Sequence, residues 1–165
     1  MSRLFIAAWP PPAVVGTLRE LPRETDAGIR WTTPDQWHIT LRYLGKVDET
    51  AALDAFGTIE AHSSEAVVGP TIERLGSAIV MVPVAGLDEL ASIVEHVTSG
   101  IGETPHPDGF RGHLTLARLK GRAACPLDGV EVSARFGVDE IALVRSELHA
   151  DGARYTTVAR RDLST

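Results

Sequence analysis

The feature that most constrains this chain is a four-residue stretch that occurs twice, first as His38-Ile39-Thr40-Leu41 and again as His113-Leu114-Thr115-Leu116. In an extended strand successive side chains point to opposite faces. Each copy, folded as a strand, therefore puts an imidazole and a hydroxyl on one face and apolar side chains on the other. Two such strands predict a site with two imidazoles and two hydroxyls, provided the fold brings the polar faces together.

The remaining patterning supplies strands and helices around the two copies. An apolar run over 2–9 predicts a strand that ends at Pro10-Pro11-Pro12. A helix follows, because proline is tolerated in a first turn and Val14, Leu18 and Leu21 recur at helical spacing. A short extended piece over 29–32 and a turn at Pro34-Asp35 lead into a motif strand from Trp37 to Leu44, with Gly45 as its end. Asp48 is predicted as the N-cap of a helix to about residue 61, with Leu53, Phe56 and Ile59 facing inward. Segments 66–72 and 78–84 predict a hairpin turning at 75–77, with Pro83 marking an edge or the end of the second strand. Leu87, Leu90, Val94 and Val97 give the clearest helical stripe, capped by Gly100 or Gly102. A loop over 104–109 delivers the second motif strand. Another loop follows over 121–129, then strands over 130–138, 141–146 and 154–160, the last two joined at Asp151-Gly152. The mixture lacks regular βαβ alternation, so the class is α+β. The order strand, helix, motif strand, then hairpin, helix, motif strand, predicts two similar lobes. They would have antiparallel sheets and flanking helices, with the motif strands facing each other across a central groove.

At 165 residues, 44% of them hydrophobic, the chain is expected to form one domain over 1–165 with a sizeable core. Its single cysteine, Cys125, excludes an intrachain disulfide, and a cytoplasmic setting is expected. The first apolar run is too brief for a signal peptide or membrane span. A net charge of −6 argues against a protein that coats long stretches of nucleic acid. The motifs nevertheless lie in basic segments: Arg42 and Lys46 with no acid over 36–46, and Arg111, Arg118, Lys120 and Arg122 with no acid over 111–122. Such a field suits a small anion or one end of a nucleic acid.

Histidine titrates near ~6.5, so one imidazole can act as base while the other acts as acid. In-line displacement at phosphorus needs both, and threonine hydroxyls on the same face can donate to non-bridging oxygens. No Cys/His spacing suits a metal, so neither a metal site nor a cofactor is expected. His62, His96, His106 and His149 read as surface residues, with His106 in the loop before the second motif. Trp31, Trp37, Phe110 and Tyr155 are candidates to stack on a base, with core burial as the competing reading. By strand parity Arg42 shares the His38 face and Arg111 the His113 face, whereas Arg118 falls opposite His113 unless a bulge re-aims it.

These segments resemble the 2H phosphoesterases, and among them the RNA 2′,3′-cyclic phosphodiesterases, also called bacterial 2′-5′ RNA ligases. The resemblance runs through Arg3-Leu4-Phe5-Ile6-Ala7, through Trp37 to Gly45, through Phe110 to Arg118, and through Leu143 to Leu148 with Gly152 and Tyr155. It implies metal-independent hydrolysis of RNA or nucleotide 2′,3′-cyclic phosphate ends to a 2′-phosphate. In that role His113 is the proton acceptor and His38 the proton donor, while Thr40, Thr115 and Arg118 hold the phosphate. The resemblance also implies a two-lobed fold related by a pseudo-twofold axis; the expected partners are RNA ends or nucleotides with a 2′,3′-cyclic phosphate, and a monomer is expected. The same residues would serve 2′-5′ ligation, and a non-catalytic nucleotide-binding module is the reading from another class. One departure stands out: Gly112 occupies the position where the family usually has proline, which is expected to loosen the approach to His113.

Overall fold

The computed structural model describes residues 1–121 and 124–165; Arg122 lies outside them. In chain order the elements are β1 (Ser2–Ala8), α1 (Pro12–Arg19), β2 (Ile29–Trp31), a 3-10 turn (Pro34–Gln36), β3 (Ile39–Val47), α2 (Glu49–Gly57) and β4 (Ser64–Val68). Then come β5 (Glu73–Leu75), β6 (Ile79–Ala85), α3 (Asp88–Val97), β7 (His113–Leu119), β8 (Ala134–Val138), β9 (Glu140–His149) and β10 (Gly152–Asp162). The strands form one mainly antiparallel sheet in the order β10-β9-β1-β3-β7-β6-β4-β8, with β2 beside β7 and β5 beside β6. Among the described residues no helix is long and apolar enough to cross a membrane.

The order is symmetric about its centre. The motif strands β3 and β7 meet there at the pair Ile39–Leu114. Outward on one side run β1, β9 and β10, and on the other β6, β4 and β8. The two lobes repeat one another in register. On the first side Ala8 pairs with Ile39, Ala7 with Thr40, Ile6 with Arg42 and Phe5 with Tyr43. On the second Val82 pairs with Leu114, Met81 with Thr115, Val80 with Ala117 and Ile79 with Arg118. Both ladders skip the motif leucine, Leu41 in one and Leu116 in the other, so each motif strand carries a bulge at the same place. Helix α1 crosses to pack near β8 of the second lobe, and α3 packs against β3 of the first. The core on the helix side takes in Leu4, Ile6, Trp37, Ile39, Leu90, Val94 and Leu114. A second small cluster, Phe5, Ala7, Ala142 and Val144, lies on the opposite face.

Several expectations need correction. Gly45 does not end the first motif strand; β3 runs through it to Val47, with Gly45 at φ +74 where a second register shift falls. The predicted hairpin of 66–72 with 78–84 is instead β5 with β6, and β4 joins β6 only at Val67–Ala85 and Val68–Val84. Pro83 is not at an edge. It pairs with His113 on one side, and on the other it sits between the β5 and β4 pairings, where no ladder partner is needed. In α2 the buried stripe is Ala52 and Phe56, with Leu53 37% exposed. Asp48 does cap that helix, accepting from the Ala51 amide at 3.2 Å.

Gly112 is fixed rather than loosened. Its carbonyl accepts from the Val84 amide at 2.9 Å, and a Cβ built on it would come within 2.3 Å of the Val84 carbonyl oxygen. The missing side chain is what lets β7 start flush against β6, one residue before His113. Gly112→Ala is expected to destabilise the fold by about 1–3 kcal/mol, the usual cost of forcing extra volume against packed backbone. Gly16, exposed in α1 with open space around it, gives the opposite sign: Gly16→Ala should stabilise by about 0.5–1 kcal/mol. Denaturant unfolding of the two variants checks both.

Candidate active site

Both polar faces open into one groove of about 510 Å³ that contains His38, Thr40, His113 and Thr115. The two bulges decide what else reaches it. An extra residue at Leu41 turns Arg42 to the helix side and brings Tyr43 into the groove; the extra residue at Leu116 buries Ala117 and brings in Arg118. Arg118 therefore sits on the His113 face, as a re-aimed strand requires. Arg42, expected on the His38 face, is instead 5% exposed. It donates to Thr98 Oγ1 at 3.2 Å and to the carbonyls of Tyr43 (3.0 Å) and Ile101 (3.1 Å), so it ties β3 to the end of α3. The Arg111 side chain is exposed and outside the groove lining.

The backbone of Arg111 matters more than its charge. Its carbonyl stands 2.7 Å from His113 Nδ1, and the Gln36 carbonyl stands 2.7 Å from His38 Nδ1. A carbonyl oxygen can only accept, so each Nδ1 carries a proton and, in the neutral ring, each Nε2 carries the lone pair. Each ring is thus oriented by the residue two positions before it. His38 Nε2 lies 2.9 Å from Thr40 Oγ1; in the neutral ring the hydroxyl donates to that lone pair.

Gln36, which the sequence reading passed over, anchors this arrangement. Its side-chain oxygen accepts from the Thr33 amide at 3.0 Å and its Nε2 donates to the Ala153 carbonyl at 2.7 Å. The turn bearing the His38-orienting carbonyl is thereby fastened to β10. Thr33 followed three residues later by Gln36 is a helix-start signature that was available in the sequence. A second bolt runs from Trp37 Nε1 to Thr32 Oγ1 (2.9 Å), whose own hydroxyl donates to the carbonyls of Thr115 and Leu116, each at 2.8 Å. Trp37, 1% exposed, is therefore a structural residue and not a base platform. Phe110 packs against the core. Trp31 and Tyr155 do line the groove. So do Arg30, Ser146 and His149, none of which the motifs announced, while His106 stays on its exposed loop near Asp108.

The imidazoles differ in surroundings. His38 is enclosed by Phe5, Trp9 and Tyr155, with ring centroids at 4.7, 5.7 and 5.1 Å. Burial among these rings pushes its pKa down to about 4; the Gln36 carbonyl opposes the shift, and the charges of His113 and Arg118 add to it. Burial also pushes the Tyr155 phenol up, against the Arg118 charge. Among the residues lining the groove there is no Asp or Glu. A larger hollow of about 580 Å³ between Arg3, Lys46 and Glu103 contains neither histidine. Among the described residues no group of three or more His, Cys, Asp or Glu is placed to hold a metal ion.

NMR titration of the free protein is expected to give His38 a midpoint near 4, and Tyr155→Ala should raise it toward 6.5 by letting water reach the ring. The sign for stability follows. A folded-state value below the unfolded one means unfolding takes up a proton between those pH values, so the contribution of neutral His38 is complete above about 6.5 and lost as pH falls to about 4.

The family model described as LigT like Phosphoesterase matches residues 9–68, a span that includes His38 and Thr40. The RNA 2′,3′-cyclic phosphodiesterase of Aeropyrum pernix is 28% identical over 163 residues, covering 86% of this chain and 90% of that one. Among solved structures, a Thermus thermophilus protein superposes with a TM-score of 0.84 at 24% identity, covering 97% of each chain. Escherichia coli LigT, crystallised with 3′-AMP, superposes with a TM-score of 0.77 at 25% identity over 99% of each chain. The duplicated motif, the paired lobes and these matches agree: over residues 9–68 the chain is similar to the LigT-like phosphoesterases, and over most of its length to proteins named RNA 2′,3′-cyclic phosphodiesterase.

Proposed function

We propose that this protein hydrolyses RNA or nucleotide 2′,3′-cyclic phosphate ends to 2′-phosphates, by acid–base chemistry at His38 and His113. The observation that carries the proposal is the groove itself, where two imidazoles are each oriented through Nδ1 and no carboxylate shares the lining. Relatives named RNA 2′,3′-cyclic phosphodiesterase over most of the chain support the substrate class.

In the proposed step His113 Nε2 takes a proton from water as the water oxygen attacks phosphorus. The bond from phosphorus to the 3′ oxygen breaks, and His38 gives that oxygen its proton. Products are a 2′-phosphate and a free 3′-hydroxyl. Thr40, Thr115 and Arg118 donate to the non-bridging oxygens as charge develops. In the free groove His38 is neutral at pH 7, so its acid role requires the bound phosphate anion to draw a proton onto it. Protonation also reverses the bond to Thr40: Nε2 becomes the donor and the threonine proton is released toward the phosphate. The proposal invokes no metal. It treats residues 1–165 as one cytoplasmic, monomeric unit whose single cysteine, Cys125, stays buried and unpaired.

The test is an oligonucleotide ending in a 2′,3′-cyclic phosphate, incubated with and without EDTA. A 2′-phosphate product is expected, EDTA should have little effect, and His38→Ala or His113→Ala should each lower the rate by ~10² or more. A 3′-phosphate product would reverse the leaving-group assignment, and abolition by EDTA would sink the metal-free mechanism. The pH profiles give a separate check. An acid must be protonated to act, so the rate falls as pH rises through its pKa. That fall should begin at lower pH in kcat/KM, which reports the free enzyme, than in kcat, which reports the complex.

A further inference from the structure

Arg30 and Arg118 are directly opposite one another on the antiparallel strands β2 and β7, and both side chains line the groove. Like charges placed opposite each other across a strand pair cost stability. Neither arginine makes an ion pair or hydrogen bond among the described residues, and the groove lining offers them no acid. A Cβ added at Gly152 would come within 3.0 Å of Arg30 Nη2, so the guanidinium lies close to the β9–β10 turn at the rim of the groove. Past Arg30 the surface continues into a hollow of about 370 Å³ that adds Lys120. The one acid there, Asp151, is turned to Arg154 at 3.6 Å.

A single reacting phosphate accounts for Arg118, whose charge already acts on His38. It does not account for a second guanidinium one strand further from the motifs, nor for Lys120 beyond it. We infer that Arg30, with Lys120 beside it, binds a second phosphate, the internucleotide phosphate 5′ to the terminal nucleotide, and so makes the enzyme favour oligonucleotide ends over free cyclic mononucleotides. The inference rests on the phosphodiesterase reading above and adds a substrate preference to it. Trp31, adjacent to Arg30 and also lining the groove, gives that side of the subsite an aromatic wall.

The experiment compares kcat/KM for adenosine 2′,3′-cyclic phosphate with that for a short oligoadenylate bearing the same terminus, in wild type, Arg30→Ala and Arg30→Lys, over a range of salt. Wild type should prefer the oligonucleotide. Arg30→Ala should cut that preference about tenfold, the size of one lost charge-assisted contact, and Arg30→Lys should restore most of it. The slope of log(kcat/KM) against log[salt] for the oligonucleotide should fall by about 1 in Arg30→Ala. An unchanged preference, or equal loss on both substrates, overturns the inference. If wild type cleaves neither substrate, the phosphodiesterase reading itself fails. Oligoadenylate binding then decides the subsite: a salt slope lowered in Arg30→Ala supports it, and equal slopes overturn it.

Discussion

The groove depends on a backbone irregularity used twice. In β3 and again in β7 one extra residue at the motif leucine shifts the alternation, so that the fifth residue after each histidine returns to the histidine's face and the fourth turns away. Without the shift, Arg118 would point into the apolar side of the sheet, next to Leu114 and Leu116, where an unpaired guanidinium costs several kcal/mol. With it, the two motif strands can be continuous with the core on one face and wholly polar at the motif on the other. The same shift explains why Arg42 can be buried safely: it arrives at the C-terminal end of α3, where a threonine hydroxyl and loop carbonyls accept its protons. Helix α3 belongs to the other half of the chain, so this one arginine also fastens the lobes together.

Duplication of the backbone was not accompanied by duplication of the walls. Phe5 in the first lobe corresponds in register to Ile79 in the second. Trp9 lies one step past the end of β1, where the second lobe has Pro83, and Tyr155 comes from β10 at the outer edge. Three rings therefore dehydrate one imidazole, and among the described residues no aromatic ring stacks on the other. Two histidines oriented by equivalent Nδ1–carbonyl bonds are thus given different surroundings by side chains, which is what the proposed division into acid and base would need. The cost falls on His38, whose burial among the rings keeps it neutral near pH 7.

How much of this could be read from the residues follows from the range of each interaction. The motif strands, the flanking helices and the two-lobed α+β plan were legible because apolar periodicity and a repeated tetrapeptide are local signals. The parity of Arg42 and Arg118 was not, because a bulge is decided by pairing with β1 and β6, which lie far away in sequence. Gly112 was misread for a similar reason: a glycine looks like freedom until the carbonyl of Val84 occupies the space its side chain would need. The hairpin was displaced because β6 divides its edge between β5 and β4, a partition no single segment encodes. Gln36 is the instructive middle case. Its capping pattern with Thr33 was visible, but its grip on Ala153 closes a loop of more than a hundred residues and appears only in the fold.

The charge of the groove is likewise a product of arrangement rather than composition. An acidic chain would ordinarily repel phosphate, yet no acid lines the groove, and four acids are paired with arginines elsewhere: Glu49 with Arg145, Glu65 with Arg135, Asp128 with Arg74 and Glu140 with Arg160, each at 2.7 or 2.8 Å. Those contacts are worth little individually in stability. Their larger effect is to neutralise cations away from the groove, so that Arg30 and Arg118 are left as the local field at its mouth. A concave surface with one sign of charge and apolar walls concentrates that field. Net repulsion at long range with attraction at short range suits the proposed substrate, the end of a nucleic acid bound without adhesion along its length.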